Sequence, residues 1–188
     1  MFAKKLTTEV IEIKSEIYVT GLSLENAGFE KKSEKIGELW GMLESAGRKK
    51  ISDKIKPAVN YGFWYGKPDG GYDYIVGSAV FLPGEPVNGF VTSVIPAGKY
   101  IKVSFNAKDF SELVCGDGIR NGFETAKNFA EKNGFETIAM PAGIEAYPHD
   151  MMRVGKENGP EWGLKPDYIS DAAVLTEYPE MYVLLRVV

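Results

Sequence analysis

Hydrophobic and polar positions alternate along the first stretch of the chain, roughly residues 8 to 24. Val10, Ile11, Ile13, Ile17, Val19 and Leu22 stand among polar neighbours, and this period of two predicts a strand. The period then changes. Ile36, Leu39, Trp40 and Leu43 fall at i, i+3, i+4 and i+7, which predicts a helix over about 30–46, with Gly47 as its stop. From Ala58 to Tyr65 comes a strongly β-favouring aromatic run. Turn chemistry follows in Gly66–Gly71, and Tyr72 to Leu82 returns as a second strand, so the pair reads as a hairpin.

The second half repeats this order. Short strands are predicted at Phe90 to Val94 and Lys99 to Phe105, and a helix over 117–132 with Ile119, Phe123, Ala126 and Ala130 on one face. Ile138 to Tyr147 reads as a strand. Glu180 to Val188 is so apolar that it is expected at the centre of a sheet. Both halves thus read strand, helix, strand, strand, with no linker between them beyond residues 83–88. The expected organisation is one domain over 1–188, with module one at about 6–84 and module two at about 87–188. The stretch from Pro148 to Pro179 holds Met151, Met152, Trp162, Tyr168 and Tyr178 among prolines and glycines. A loop of that length in a compact domain is often a lid or binding loop, and this one has room for a short helix.

Composition narrows the function classes. Hydrophobic residues make up 44% and charged residues 26%, a globular balance that excludes disordered and fibrous classes. The N-terminal residues lack the unbroken apolar run of a signal peptide or membrane span, and the single Cys115 has no internal partner, so the expectation is a soluble, cytoplasmic protein with no membrane partner. Net charge is −4, and the basic residues that do cluster, Arg48 to Lys50 with Lys54 and Lys56, and Lys31-Lys32, flank one predicted helix. They read as helix-end charges, so no direct DNA binding is expected.

Most catalytic chemistry is missing. One histidine, His149, and one cysteine cannot supply a zinc site, so no metal or other cofactor is expected. His149 stands in a turn-like Tyr-Pro-His-Asp and reads as a surface residue beside Asp150. The glycines of Gly116-Asp-Gly118-Ile-Arg-Asn-Gly122 have the wrong spacing for a nucleotide loop and read as a helix entry.

What remains is aromatic density and one carboxylate. In Ala142 to Tyr147, alternation puts Ala142, Ile144 and Ala146 on one face and Gly143, Glu145 and Tyr147 on the other. A carboxylate in an aromatic-lined cleft receives lipophilic cations, because ring faces attract the charge and the carboxylate neutralises it. Alternation alone leaves open a solvated glutamate on the sheet's wet face. Tyr61, Phe63 and Tyr65 share one face of their strand, with Gly62 and Trp64 on the other. Tyr18 and Trp40 fit either core or pocket.

Several of these strings together resemble the GyrI-like effector-binding domain: Gly37 to Leu43 with its Leu-Trp pair, Tyr61 to Tyr65, Tyr72 to Ser78, Ile95 to Tyr100 and Gly143 to Tyr147. That family includes the ligand-binding halves of AraC- and MerR-type multidrug-sensing regulators of transcription. The resemblance implies an α+β fold of two strand-helix-strand-strand modules related by a pseudo-two-fold. An antiparallel sheet would carry a central ligand cleft, with Glu145 as its central acidic residue. With the aromatic residues read above, the candidate ligand set is Glu145, Tyr147, Trp40, Tyr61, Phe63, Tyr65, Tyr18 and Trp162, and the expected ligand is hydrophobic and cationic. No helix-turn-helix is expected ahead of a first strand that begins so near Met1, so the chain resembles the stand-alone branch. Two alternatives accompany this reading. One is a hydrolase of reactive small molecules, with Glu145 as general base and Tyr65 or Tyr147 assisting. The other is a protein partner, gyrase or a regulator.

Overall fold

The computed structural model describes residues 6–30, 33–47, 50–55, 59–84, 87, 89–106, 117–148, 150–156, 159–165 and 180–188. In chain order its elements are β1 (Thr7–Ile13), β2 (Ile17–Ser23), a short 3-10 turn (Ser33–Lys35) running into α1 (Ile36–Met42), and a wider π turn (Leu43–Gly47). Then come β3 (Asn60–Gly66), β4 (Tyr72–Val80), β5 (Val91–Ile95), β6 (Gly98–Asn106) and α2 (Asp117–Lys132). The chain continues through β7 (Ala142–Tyr147), β8 (Asp150–Lys156), β9 (Gly159–Lys165) and β10 (Glu180–Val187). The fold is α+β. Among the described residues no helix is long and apolar enough to cross a membrane.

Eight strands form one antiparallel sheet in the order β1-β6-β10-β7-β3-β4-β2-β5. The pseudo-two-fold runs between β3 and β7. On one side β2, α1, β3 and β4 form a strand-helix-strand-strand unit; on the other β6, α2, β7 and β10 repeat it. The remaining strands are exchanged: β1 pairs with β6, and β5 pairs with β2.

This exchange curls the sheet. β1 and β2 are six strand spacings apart, about 29 Å if the sheet were flat. Only residues 14–16 join them, a reach of about 14 Å. Residues 96–97 make the same demand on β5 and β6. The two edges are therefore drawn together and the sheet acquires an inner and an outer face.

Each face has its own core. Inside, Val19, Phe63, Ile75, Ile95, Ile144 and Leu184 pack together. Outside, Leu39, Trp40 and Leu43 from the first helix and Ala126 and Ala130 from α2 cover Val76, Phe105, Tyr147 and Val183. Gly122 is what lets α2 lie close. A Cβ there would stand 2.9 Å from the Phe105 ring and 3.1 Å from Val183.

The structure departs from the sequence reading in three places, the smallest being that β7 begins at Ala142 and not at Ile138. The single strand expected over 8–24 is broken at the polar Lys14-Ser15-Glu16, and its parts go to distant positions in the sheet. Ile13 and Ile17 keep the same parity across the break, so alternation carried no sign of it. The stretch after Tyr147 is not a bare loop or a helix over 150–165; it is the hairpin β8–β9, a separate two-stranded sheet. Residues 166–179 lie outside the described residues. β10, the apolar last strand, does sit between two neighbours, β6 and β7.

Candidate functional site

At the junction of the two units, β3 runs beside β7 with Gly62 directly opposite Glu145. On its other side Glu145 faces Val183 of β10. Alternation places the Glu145 side chain on the outer face, where Tyr147 also points, while Ile144 and Ala146 enter the inner core. Gly143, with φ of 61°, takes up the irregularity that lets Trp64 pair with Ala142.

Gly62 leaves a gap beside Glu145, and two side chains fill it. An added Cβ would overlap the Tyr74 hydroxyl and stand 3.0 Å from Cζ2 of Trp40. Tyr74 reaches there from β4, leaning across β3 towards Glu145. Its ring meets Trp64 edge-on at 5.1 Å, and Trp64 in turn meets Tyr72 at 5.7 Å. Trp40 comes down from α1 and packs edge-on against Tyr147, with ring centroids 5.1 Å apart. The carboxylate thus has Tyr147, Tyr74 and Trp40 about it, from three elements, with Trp64 of a fourth packed against Tyr74.

The polar contacts in this cluster are few. Tyr147 Oη donates to Glu145 Oε2 at 2.9 Å. The Tyr74 hydroxyl lies beside both Glu145 and Trp40 but meets neither in good hydrogen-bond geometry. Glu145 forms no ion pair among the described residues; Lys99, an obvious candidate, lies instead over the Phe135 ring. Loss of solvation pushes the Glu145 carboxyl up from 4.5 to about 7, a rise partly offset by the tyrosine hydroxyls. Burial, and then the nearby Glu145 charge, raise Tyr147 and Tyr74 well above the usual phenol range. Glu145 as a whole is half-buried. The arrangement is a carboxyl group raised toward neutrality, with aromatic rings beside it and no counter-charge among the described residues.

Beside it runs a row of polar side chains on the same face. Tyr147 is opposite Asn60, which is opposite Ser78, then Thr20 and Thr92. Ser78 Oγ donates to Asn60 Oδ1 at 2.6 Å, and the Thr20 and Thr92 hydroxyls are 2.8 Å apart.

Of the residues singled out from the sequence, Glu145, Tyr147 and Trp40 are brought together. Tyr61, Phe63 and Tyr65 are not. They point from β3 into the inner face, because a strand sends neighbours to opposite sides and Gly62 occupies the Glu145 side. There Tyr61 Oη lies 3.4 Å from Tyr182 Oη, and Tyr65 Oη donates weakly to Asp73 Oδ2 at 3.5 Å. A hydrolytic role that pairs Tyr65 with Glu145 is therefore not supported by their placement. Tyr18 packs at the margin of the outer core on β2, three strands from β7, and donates to Glu16 at 3.0 Å. Trp162 falls on β9, with its side chain outside what is described, and His149 and Cys115 lie outside the described residues.

Tyr74, Trp64 and Gly62 were missed as site residues. Part of the signal was available. A turn at 66–71 sets Trp64 opposite Tyr74 on the even-numbered face of the hairpin. The pairing of β3 with β7 was not readable from either strand.

A family model described as integron-associated effector binding protein matches residues 10–158, most of the chain. Among curated proteins none matches significantly. Two solved structures share the fold. One, described as SAV2435 bound to tetraphenylphosphonium, has a TM-score of 0.57 at 10% identity, covering 97% of this chain and 94% of that one. The other, the EcmrR C-terminal domain, has a TM-score of 0.56 at 15% identity, covering 97% and 98%.

Proposed function

Because the chain belongs to the family of integron-associated effector binding proteins, and is thus an effector-binding domain that takes small molecules, we propose that its effector is a hydrophobic cation neutralised by Glu145. What carries this reading is a carboxyl group with no ion-pair partner among the described residues, set between aromatic rings on both modules. Ring faces and a carboxylate attract the same ligand charge, and exclusion of water strengthens both attractions. The rings supply apolar area and the carboxylate supplies orientation, the usual division in small-molecule sites. Tetraphenylphosphonium, the ligand of the SAV2435 structure, suits this chemistry as a probe.

The test is a titration of rhodamine 6G, followed by fluorescence anisotropy, against the wild type and Glu145→Gln. Saturable binding is expected, weakened by about 1–3 kcal/mol in the variant, the size of a lost charged contact. Equal affinity in the two proteins would remove Glu145 from the mechanism.

A further inference from the structure

We propose that the ligand site continues beyond the carboxylate into an open slot over Gly66, walled by Trp64 and Tyr72, which takes an aromatic ring at the far end of an elongated cation. The proposal rests on the cation reading of Glu145 and adds a requirement of length to it.

The slot lies on the same outer face. Gly66 of β3 is paired with Tyr72 of β4, as Trp64 is with Tyr74, and residues two apart on a strand share a side. Opposite Tyr72 there is thus no side chain, and a Cβ added at Gly66 would meet nothing within 4 Å. The contrast with Gly62, four residues earlier on that face, is sharp: its gap is filled by Tyr74 and Trp40. Nor does the backbone demand glycine at 66, since the positive φ of this turn, 82°, belongs to Gly70. Cross-strand support of the hairpin accounts for the contact of Trp64 with Tyr72. It does not account for the bare position opposite, where strands favour bulky or β-branched residues.

Trp64 joins the slot to the carboxylate. Its ring meets Tyr74 at 5.1 Å on one side and Tyr72 at 5.7 Å on the other. It also lies over Gly143, with Cδ1 3.6 Å from where a Cβ would stand. Tyr74, Trp64 and Tyr72 therefore run in contact from beside Glu145 to the slot, and this continuity sets the occupant. Tyr72 is 52% exposed, so a ligand ring entering over Gly66 would gain an aromatic neighbour and take apolar surface out of water. Gly66 lies about 13 Å along β3 from Gly62, the residue opposite the carboxylate. A ligand that fills both places carries its charge at one end and a ring at the other.

The experiment compares hexyltriphenylphosphonium with (6-phenylhexyl)triphenylphosphonium, two cations that differ only in a terminal ring. Each is titrated calorimetrically into wild type, Gly66→Val, Tyr72→Ala, Phe81→Ala and Glu145→Gln. Gly66→Val fills the slot from an open strand position, and Phe81, 67% exposed just past β4, controls for non-specific adsorption. Wild type is expected to bind the phenylhexyl probe about tenfold more tightly, the size of a partly buried phenyl ring. Phe81→Ala should keep that ratio, and Gly66→Val and Tyr72→Ala should each lose most of it. A wild type without the preference overturns the proposal, as does a preference that survives in either slot variant or falls equally in Phe81→Ala. Loss of both probes alike in Gly66→Val also overturns it, because the change would then act on the carboxylate and not on the slot. Failure of the cation reading looks different: affinity for the hexyl probe is then the same in Glu145→Gln as in wild type, whatever the ratio between the probes.

Discussion

Glu145 on the outer face and Asp73 on the inner face of one sheet each have a tyrosine hydroxyl nearby, at 2.9 and 3.5 Å. Their other partners separate them. Asp73, 1% exposed, also takes the backbone N–H of Tyr74 at 2.8 Å and that of Glu25 at 3.3 Å through Oδ1. These bonds fasten β4 to the turn that follows β2, where Ala27 N–H and Asn26 N–H are held by Ser23. Among the described residues Glu145 has no such backbone anchor; the hydrogen bond it accepts from Tyr147 comes from a neighbouring side chain. A carboxylate whose acceptors are taken up by the backbone belongs to the fold. One with acceptor capacity and charge left over is available to a ligand. Burial alone would have ranked Asp73 first.

The largest effect that would break this contrast is on stability at Asp73. Asp73→Ala leaves two amides without their acceptor and should cost about 3 kcal/mol in urea unfolding, with the affinity of the folded protein for a cationic dye unchanged. A dye affinity that fell with the variant would make Asp73 part of the binding site and dissolve the distinction.

At Glu145 the expected signature is in pH. Its carboxyl is raised from 4.5 to about 7, so between those values the folded protein holds a proton that the unfolded chain has released. Stability from this group is therefore full below pH 4.5 and declines as pH rises to about 7, by at most about 3 kcal/mol. Glu145→Gln should remove that decline and be the more stable protein at pH 8. Ligand binding runs the other way. A cation prefers the ionised carboxylate, so affinity should grow from pH 5 to pH 8 and level off above 7. Melting curves and dye titrations across that range check both slopes, and a binding affinity flat with pH would argue against an ionising group in the site.

Tyr65→Phe is the smallest test. It removes a 3.5 Å contact to Asp73 and a weak one to Ser23, so a stability change of about 0.5 kcal/mol and no change in dye affinity are expected. A several-fold weaker affinity would return Tyr65 to the ligand set from which its inner-face position removes it.

Much of the fold was legible along the chain. The helix over 117–132 and the hairpin around 66–71 were marked by local signals: a 3.6-residue apolar stripe, and a Pro-Asp-Gly-Gly turn between aromatic runs. The break at 14–16 was hidden because parity carried through it, and β8–β9 because prolines and glycines there outweighed the strand signal. In the site, alternation rightly set Glu145 and Tyr147 apart from Ile144. The aromatic run of β3 misled, since three of its rings share a face and one glycine, easily passed over, marks the other.

The sequence by itself determined which residues of a strand travel together, because successive side chains must point to opposite sides. It also determined that Glu145 has an aromatic companion two positions away. Only the tertiary structure decided that β3 lies beside β7, setting Gly62 against Glu145 across more than eighty residues of chain. That pairing, and the curl imposed by the exchanged β1 and β5, chose which of two aromatic faces became core and which surrounded the carboxylate. A period of two assigns a side chain to a face; what that face meets is set by contacts between segments distant in sequence, which no local pattern encodes.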